Sequence, residues 1–188
     1  SKFLHPGPGY GGSCFPKDTL ALVQTATKVD SPLRIVEAVV EVNDKRKKSM
    51  AKKIINACSG NVTNKTLAIL GVTFKPNTDD MRDAPSLDII PTLQAEGAII
   101  NAYDPEGMNE AKSVLKDVSW CNDAYQAMEG ANAVAILTEW NEFRGLDLSR
   151  IKSLLKAPIV IDLRNIYDPK DMKDAGFVYS CVGRREMG

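Results

Sequence analysis

The sequence lacks an excess of charge of either sign and a long apolar run. Its 24 Lys and Arg residues equal its 24 Asp and Glu residues, so the formal net charge at pH 7 is zero. Nucleic acids and anionic membranes attract basic patches, so neither partner is expected. No apolar run reaches the roughly 20 residues that cross a bilayer, and the N-terminus lacks a signal-peptide layout. We therefore expect a cytoplasmic protein with a small-molecule partner.

Cysteine and histidine are scarce and scattered. The chain has four cysteines with no C-x-x-C pair, and one histidine, His5. Zinc sites and disulfide frameworks need clustered ligands or paired thiols. No metal site or disulfide is therefore expected, and unpaired thiols fit a reducing compartment.

The most informative stretch is FLHPGPGYGGSCFPKD, from Phe3 to Asp18. Glycines let its backbone turn with positive φ and lie directly against a ligand. Cys14 follows these glycines, precedes a helix-compatible run from Thr19 and lies three residues before Lys17, all of which favours a thiolate. Cys14 is therefore a candidate nucleophile, although a lone cysteine is more often a small buried hydrophobe. Asp18 is a candidate either for catalysis or for capping the helix that follows.

The pattern before residue 60 is helical. Residues 19–28 suit a short helix, and the Asp-Ser-Pro sequence at 30–32 suits a helix start at which Ser31 caps and Pro32 opens the helix. Apolar residues then recur at three- and four-residue steps, which predicts a long helix over 32–57. We interpret the lysine-rich stretch 45–53 as the solvated face of that helix.

A turn-rich break at 59–65 separates this region from alternating strands and helices, and we place a domain boundary there, giving units 1–59 and 60–188. Repeated βα units predict a doubly wound parallel α/β sheet of Rossmann-like type with helices on both faces. The predicted strands cover 66–72, 98–103, 131–138, 158–163 and 177–182, and the predicted helices cover 85–96, 106–115, 124–129 and 148–155.

Such sheets bind ligands beyond the carboxyl ends of their strands, where the sequence places Thr73 to Lys75, Asp104, Glu139 and Arg164. The turn after the first strand, GVTFKPN, lacks the G-x-G-x-x-G fingerprint, so the sheet is not expected to hold NAD by itself. Asp104 could mimic a ribose-binding acid, but Pro105 directly after it favours a capping role in a helix-starting turn.

Three side chains after the first strand are candidates for nucleotide recognition. Phe74 offers a flat wall for a base, and Lys75 offers a cation for a phosphate. Arg82 offers a second cation, but it lies among acidic residues, where a surface ion pair is the ordinary outcome.

Three segments resemble the UDP-glucose/GDP-mannose dehydrogenase family, in order and across nearly the whole chain. GPGYGGSCFPKD (7–18) resembles its catalytic-cysteine segment, GVTFKPNTDDMRDAPS (71–86) its nucleotide-sugar-binding segment and VIDLRNIYD (160–168) a third segment. Within the family, GGSCFPKD favours UDP-glucose over GDP-mannose or UDP-N-acetylmannosamine as the substrate.

The resemblance implies oxidation of UDP-glucose to UDP-glucuronate in two steps, each consuming NAD⁺, without a metal. It implies that Cys14 forms a thiohemiacetal and then a thioester, and that Asp18 activates or orients the hydrolytic water. It implies cofactor contacts from Lys17 and Arg82. The implied substrate contacts are Phe3, Leu4, His5, Pro6, Gly7, Tyr10, Gly11, Phe74, Lys75 and Arg164.

The resemblance also implies that the helix over 32–57 joins two domains and forms much of a homodimer contact. The family's dinucleotide fingerprint, and the lysine and asparagine that assist its nucleophile, have no counterpart in this sequence. The chain is therefore expected to be the central helix and C-terminal domain of the enzyme, and to be inactive alone. Two alternatives stay open: a noncatalytic nucleotide-sugar-binding or dimerisation module, and a stand-alone thiol enzyme, for which His5 is the one histidine available as a base.

Overall fold

A computed structural model describes residues 4–184, in which two helices precede a sheet flanked by shorter helices. The helices are α1 (Cys14–Lys28), α2 (Arg34–Ala57), α3 (Ser86–Ala95), α4 (Met108–Val114), α5 (Ala124–Met128), α6 (Asn141–Arg144), α7 (Leu148–Leu154) and α8 (Pro169–Asp174). The strands are β1 (Thr66–Leu70), β2 (Ile99–Tyr103), β3 (Val118–Trp120), β4 (Ala133–Ile136), β5 (Ile159–Asp162) and β6 (Val178–Cys181).

The six strands form one parallel sheet in the order β3-β2-β1-β4-β5-β6, which confirms the predicted Rossmann-like α/β fold. Successive side chains of a strand point to opposite faces, so β1 contributes residues to two hydrophobic clusters, one on each face of the sheet. Leu67 and Ile69 belong to one hydrophobic cluster, and Ala68 and Leu70 belong to the other. The strand order reverses between β1 and β4, and this switch point is where parallel sheets bind ligands.

The C-terminal half of α2 closes one face of the sheet. Met50, Ala51 and Ile54 are buried in the same cluster as Leu67 and Ile69 of β1. α2 also contacts α1, and most residues of its N-terminal half are exposed. The division of the chain at residue 59 stays a prediction.

α1 begins at Cys14, earlier than the predicted start at Thr19. The last loop glycine, Gly12, has a φ of 87°, and the chain enters the helix directly after it. Pro16 is tolerated in the first turn because the first amides of a helix have no intrahelical partner. The prediction that Asp18 caps this helix is wrong, since Asp18 lies inside α1.

The start predicted for the second helix is also wrong. α2 begins at Arg34, and its N-cap residue is Leu33, without a side-chain cap hydrogen bond. The Ser31 amide bonds to the Ala26 carbonyl at 2.9 Å, so Ser31 closes α1 instead of capping α2. Pro32 lies between the helices and opens neither of them.

Three short elements, β3, α6 and α8, were not predicted. Across residues 4–184, no helix has the length and apolar character needed to cross a membrane.

Candidate functional site

Buried Asp104 organises the carboxyl edge of the sheet at the end of β2. Its Oδ2 accepts hydrogen bonds from the Val72 amide (2.7 Å), from the Thr73 amide and hydroxyl (both 3.2 Å) and from Trp140 Nε1 (3.2 Å). Its Oδ1 accepts from the Gly107 amide at 2.8 Å, in the turn ahead of α4. Asp104 thus stabilises the predicted turn, but the prediction that it caps the helix is wrong, since the N-cap of α4 is Gly107 and carries no side-chain cap hydrogen bond.

These contacts bear on whether the sheet fits a dinucleotide. A Rossmann site holds the pyrophosphate on amides that follow the first strand and on a helix N-terminus. Here the amides of Val72 and Thr73 are engaged by Asp104, and a long loop separates β1 from α3. The carboxyl edge of this sheet therefore does not fit NAD in the Rossmann manner.

Arg164, just after β5, ties three strand ends together. Its Nε donates to the Leu137 carbonyl (2.9 Å) and its Nη2 donates to the Phe74 carbonyl (3.0 Å). Glu139 Oε2 lies 2.8 Å from the same Nε and supplies the counter-charge. Burial lowers the pKa of the Arg164 guanidinium, and the Glu139 and Asp162 carboxylates oppose that shift. Arg164 is thus a rigid, charged corner of the site.

Residues 7–12, which we call the glycine loop, lie directly on this edge. A Cβ at Gly7 would come within 2.5 Å of Arg164 Nη1, and a Cβ at Gly12 within 2.8 Å of the Phe74 ring. A Cβ at Gly11 would lie 2.3 Å from the Asp83 carbonyl oxygen. Residues that follow the strands occupy the positions where side chains of these glycines would lie. The absence of a Cβ therefore lets the loop pack closely against the strand ends.

Cys14 is exposed at the first position of α1, two residues after the glycine loop. Its Sγ lies 3.6 Å from Ser13 Oγ. Asp18 follows one helical turn later, on the same side of α1. Lys17 Nζ is 3.5 Å from Asp18 Oδ1, and both side chains are exposed, so Lys17 is shared with a carboxylate and is not an isolated cation beside the thiol.

Arg82 and Lys75 flank the loop after β1. Arg82 binds Asp80 through two hydrogen bonds, Nε to Oδ1 (2.9 Å) and Nη2 to Oδ2 (2.8 Å), so it does pair with an acidic neighbour. This contact lowers the pKa of Asp80 and raises the pKa of Arg82. Lys75 is exposed, with Nζ 5.1 Å from the centroid of the Phe74 ring.

The structure brings together Gly7, Gly11, Phe74, Arg82 and Arg164 from the predicted set. Leu4, His5 and Pro6 are exposed ahead of the loop, and Phe3 lies outside the described residues. Tyr10 contacts the ring of Phe15 edge to face, with centroids 4.6 Å apart.

Sequence reasoning missed a polar stripe on α2, consisting of Asn43, Arg46 and Lys47. The Asn43 side chain hydrogen-bonds to both backbone polar groups of Tyr10. Its Oδ1 accepts from the Tyr10 amide (2.8 Å), and its Nδ2 donates to the Tyr10 carbonyl (3.2 Å). Arg46 Nε donates to the Gly7 carbonyl at 2.7 Å. The interpretation of stretch 45–53 as a solvated face is therefore wrong for Arg46 and Lys47. Their spacing from Asn43, three and four residues, places all three on one helix face and could have revealed the stripe.

The parallel sheet, with the glycine loop packed on its carboxyl edge and an exposed thiol two residues after that loop, defines a Rossmann-like protein of the α/β class. A family model described as the UDP binding domain of the UDP-glucose/GDP-mannose dehydrogenase family matches residues 68–169, and the central-domain model of that family matches residues 1–45. The chain belongs to the UDP-glucose/GDP-mannose dehydrogenase family.

The relatives include proteins with different named sugars. A UDP-glucose 6-dehydrogenase of Rhizobium meliloti (strain 1021) is 53% identical over 98% of this chain and 42% of the relative. A solved UDP-glucose dehydrogenase from Pyrobaculum islandicum is 31% identical with a TM-score of 0.78, over 93% of this chain and 38% of that chain. An NDP-N-acetyl-D-galactosaminuronic acid dehydrogenase from Methanosarcina mazei Go1 is 26% identical with a TM-score of 0.85, over 97% and 40%. The chain spans about two fifths of the length of the curated relatives it matches.

Proposed function

We propose that this chain is the part of an NAD-dependent UDP-glucose 6-dehydrogenase that binds the nucleotide sugar and supplies the nucleophile. The observation that carries the proposal is the packing of the glycine loop, which leads into exposed Cys14, against Phe74 and Arg164 at the strand ends. The family match supports it, and the Rhizobium relative favours UDP-glucose as the sugar nucleotide.

In this proposal, the nucleotide sugar lies along the glycine loop at the sheet edge. Phe74 offers an apolar face, and exposed Lys75 offers a cation for the diphosphate. A guanidinium has five N–H donors, and the Leu137 and Phe74 carbonyls use two of those on Arg164. In this proposal the remaining N–H groups bind the substrate, together with residues 4–7, Tyr10 and Gly11.

The thiol of Cys14 serves the second oxidation step. Its sulfur bonds to the aldehyde carbon while the carbonyl oxygen takes up a proton, which gives a thiohemiacetal. Bound NAD⁺ would supply the hydride acceptor for that carbon, and the hydroxyl proton would pass to solvent as the thioester forms. Asp18 then takes a proton from water as the water attacks the resulting thioester, the carbon–sulfur bond breaks, and the carboxylate product leaves behind a free Cys14.

The test combines binding, thiol labelling and turnover in the 188-residue chain. UDP-glucose should bind in a calorimetric titration, and saturating UDP-glucose should slow iodoacetamide labelling of Cys14 at least about tenfold because the sugar covers the sulfur. A Cys14→Ser variant identifies the labelled site. The chain alone should produce no sustained NADH, since its sheet edge does not fit NAD.

Three outcomes would contradict this proposal. Sustained NADH formation would place a complete cofactor site in this chain. UDP-glucose binding with an unprotected, slowly labelled Cys14 would indicate a noncatalytic binding module. Tighter binding of GDP-mannose or UDP-N-acetylmannosamine than of UDP-glucose would assign a related sugar.

We also propose that the chain forms a homodimer through α2. Ile35, Val39 and Val42 follow one another at four- and three-residue steps and are 82%, 39% and 62% exposed. Contiguous apolar surface of this kind is typical of protein interfaces.

A further inference from the structure

Lys47 is buried, unlike the neighbouring lysines on α2. Lys45 and Lys48 are exposed, whereas Lys47 is 6% exposed. Its Nζ donates to the Asp83 carbonyl at 3.2 Å and lies 3.5 Å from Asp88 Oδ2. A lysine is seldom buried to this degree without such partners, because removing the ammonium from water is costly. The lysine is thus committed to residues 83–88, a segment far from it in sequence.

The turn that Lys47 holds is strained. Asp83 has a φ of 50°, in the left-handed region that residues other than glycine rarely adopt. Conformations of this kind persist where the surroundings enforce them, and they cluster at functional sites. The Lys47 ammonium fixes the carbonyl of Asp83 itself, which makes Lys47 one of the groups that enforce the turn.

The same turn carries the glycine loop. The Arg82 carbonyl, one residue before the one that Lys47 binds, accepts the Gly12 amide at 2.7 Å. Gly11 packs on the Asp83 carbonyl, where a Cβ would come within 2.3 Å of the oxygen. Two consecutive carbonyls therefore link Lys47 on one side to the residues just before Cys14 on the other.

The stem of Lys47 reaches the loop from its opposite side. A Cβ at Gly9 would lie 3.0 Å from Lys47 Cγ and 2.9 Å from Asn43 Oδ1. Residues 9–12 are thus enclosed between α2 and the 82–83 turn, and Lys47 contacts both. Lys47 therefore makes two kinds of contact: its aliphatic chain packs against the glycine loop, and its ammonium binds the turn that supports the loop.

We propose that Lys47 is a positioning residue for Cys14. Its ammonium fixes the Asp83 turn, the turn fixes Gly12, and Gly12 fixes the first turn of α1 on which the thiol lies. Lys47 acts through these groups and makes no contact with the reacting atoms. The inference rests on the proposed role of Cys14 as the nucleophile, but its first step, the anchoring of the loop, can be measured without any substrate.

The experiment compares Lys47→Met with Lys48→Met in the 188-residue chain. Lys47→Met keeps an unbranched apolar stem and removes the ammonium, and Lys48→Met makes the same change at the exposed neighbouring position. Amide hydrogen exchange of Gly12, followed by NMR, should quicken at least about tenfold in Lys47→Met, as loss of a charged hydrogen bond predicts, and should stay within about twofold in Lys48→Met. Exchange in the middle of α2 should not change, which separates loosening of the loop from global unfolding.

The second readout is the rate at which iodoacetamide labels Cys14 at a fixed pH. In Lys47→Met this rate should move toward that of the urea-unfolded chain, and in Lys48→Met it should stay unchanged. If Lys47→Met does not fold, Lys47→Gln, which also lacks the charge, should give the same two changes.

Unaltered Gly12 exchange in the Lys47 variants would overturn the proposal. Faster Gly12 exchange with an unchanged rate of Cys14 labelling would also overturn it, since Lys47 would then anchor the loop without positioning the thiol. A failure of the unsubstituted chain to bind UDP-glucose would count against the proposed function alone, because the exchange comparison involves no ligand.

Discussion

Gly12 is constrained in two independent ways, by its backbone conformation and by its surroundings. Its φ of 87° lies in the region that a side chain makes costly, and the Phe74 ring occupies the position next to a Cβ. Gly60 offers a matched comparison, because its φ is 75° but nothing lies within 4 Å of its Cβ position. The pair separates the cost of conformation from the cost of packing.

We expect Gly60→Ala to lower the free energy of unfolding by about 1 to 2 kcal/mol, the penalty for a left-handed alanine. Gly12→Ala should lower it by a further 1 to 3 kcal/mol or so, because the methyl group also displaces the Phe74 ring. Urea denaturation of both variants measures the difference. Equal losses in the two variants would mean that the glycine loop does not pack on Phe74 as described.

Asp80 gives a pH-dependent prediction at the same scale. Its hydrogen bonds with Arg82 lower its pKa in the folded chain below the usual value of about 3.9. A carboxylate of this kind stabilises the fold fully above its unfolded pKa, and the stabilisation is lost as the pH falls through the folded pKa. Asp80→Asn should therefore destabilise the chain near pH 7 and have a smaller effect near about pH 3.

Urea unfolding at the two pH values tests this, with Asp79→Asn at the exposed neighbouring residue as the control. The Asp80 effect should be small even at neutral pH, because Arg82 is mostly exposed and water screens the pair. A destabilisation by Asp80→Asn that grows on acidification would contradict the assignment.

Among the elements, the central strands were the most predictable from sequence. β1, β4 and β5 are buried on both faces, so each is a short, nearly continuous apolar run bounded by turn residues. The predicted ranges exceed the observed strands by one or two residues at their ends, where Val72, Leu137 and Leu163 continue the buried apolar pattern past the last strand residue.

The short elements could not be predicted from periodicity. β3 has three residues at the sheet edge and α6 has four, too few to establish a period. α8 did carry a local signal, since Asp168 accepts a hydrogen bond from the Lys170 amide and Pro169 follows it as the first helical residue. α8 could therefore have been predicted from its capping residues.

For the site, the sequence could identify the reactive groups but not their partners. Cys14 and Arg164 follow from a glycine-rich segment and a strand end. The contacts of Arg164 with the Phe74 carbonyl, and of the Asn43 side chain with Tyr10, join residues 90 and 33 positions apart. Such pairings depend on how α2 and the sheet pack, so the buried role of Lys47 emerges only from the three-dimensional structure.

At the scale of the whole molecule, exposed apolar surface is unevenly distributed. The core fills both faces of the sheet, and few large apolar side chains of residues 66–184 are exposed. The exposed ones concentrate in and directly after the first two helices, at Phe15, Leu20, Leu22, Val29, Ile35, Val39 and Val42. This distribution supports the proposal that α2 forms a homodimer contact through its apolar row, which lies beside the polar stripe that holds the glycine loop.

Ile35→Lys tests the homodimer. A lysine in the middle of an apolar contact should weaken self-association at least about tenfold, which sedimentation equilibrium measures over a range of protein concentrations. Asp44→Lys is the control, because Asp44 is exposed and lies nine residues after Ile35, half a turn around the helix. A chain that stays monomeric at all concentrations, or that both variants weaken equally, would contradict the dimer. If Ile35→Lys dissociates the dimer without changing Gly12 exchange, the apolar row and the polar stripe of α2 act independently, and the order of the Cys14 loop is set within one chain.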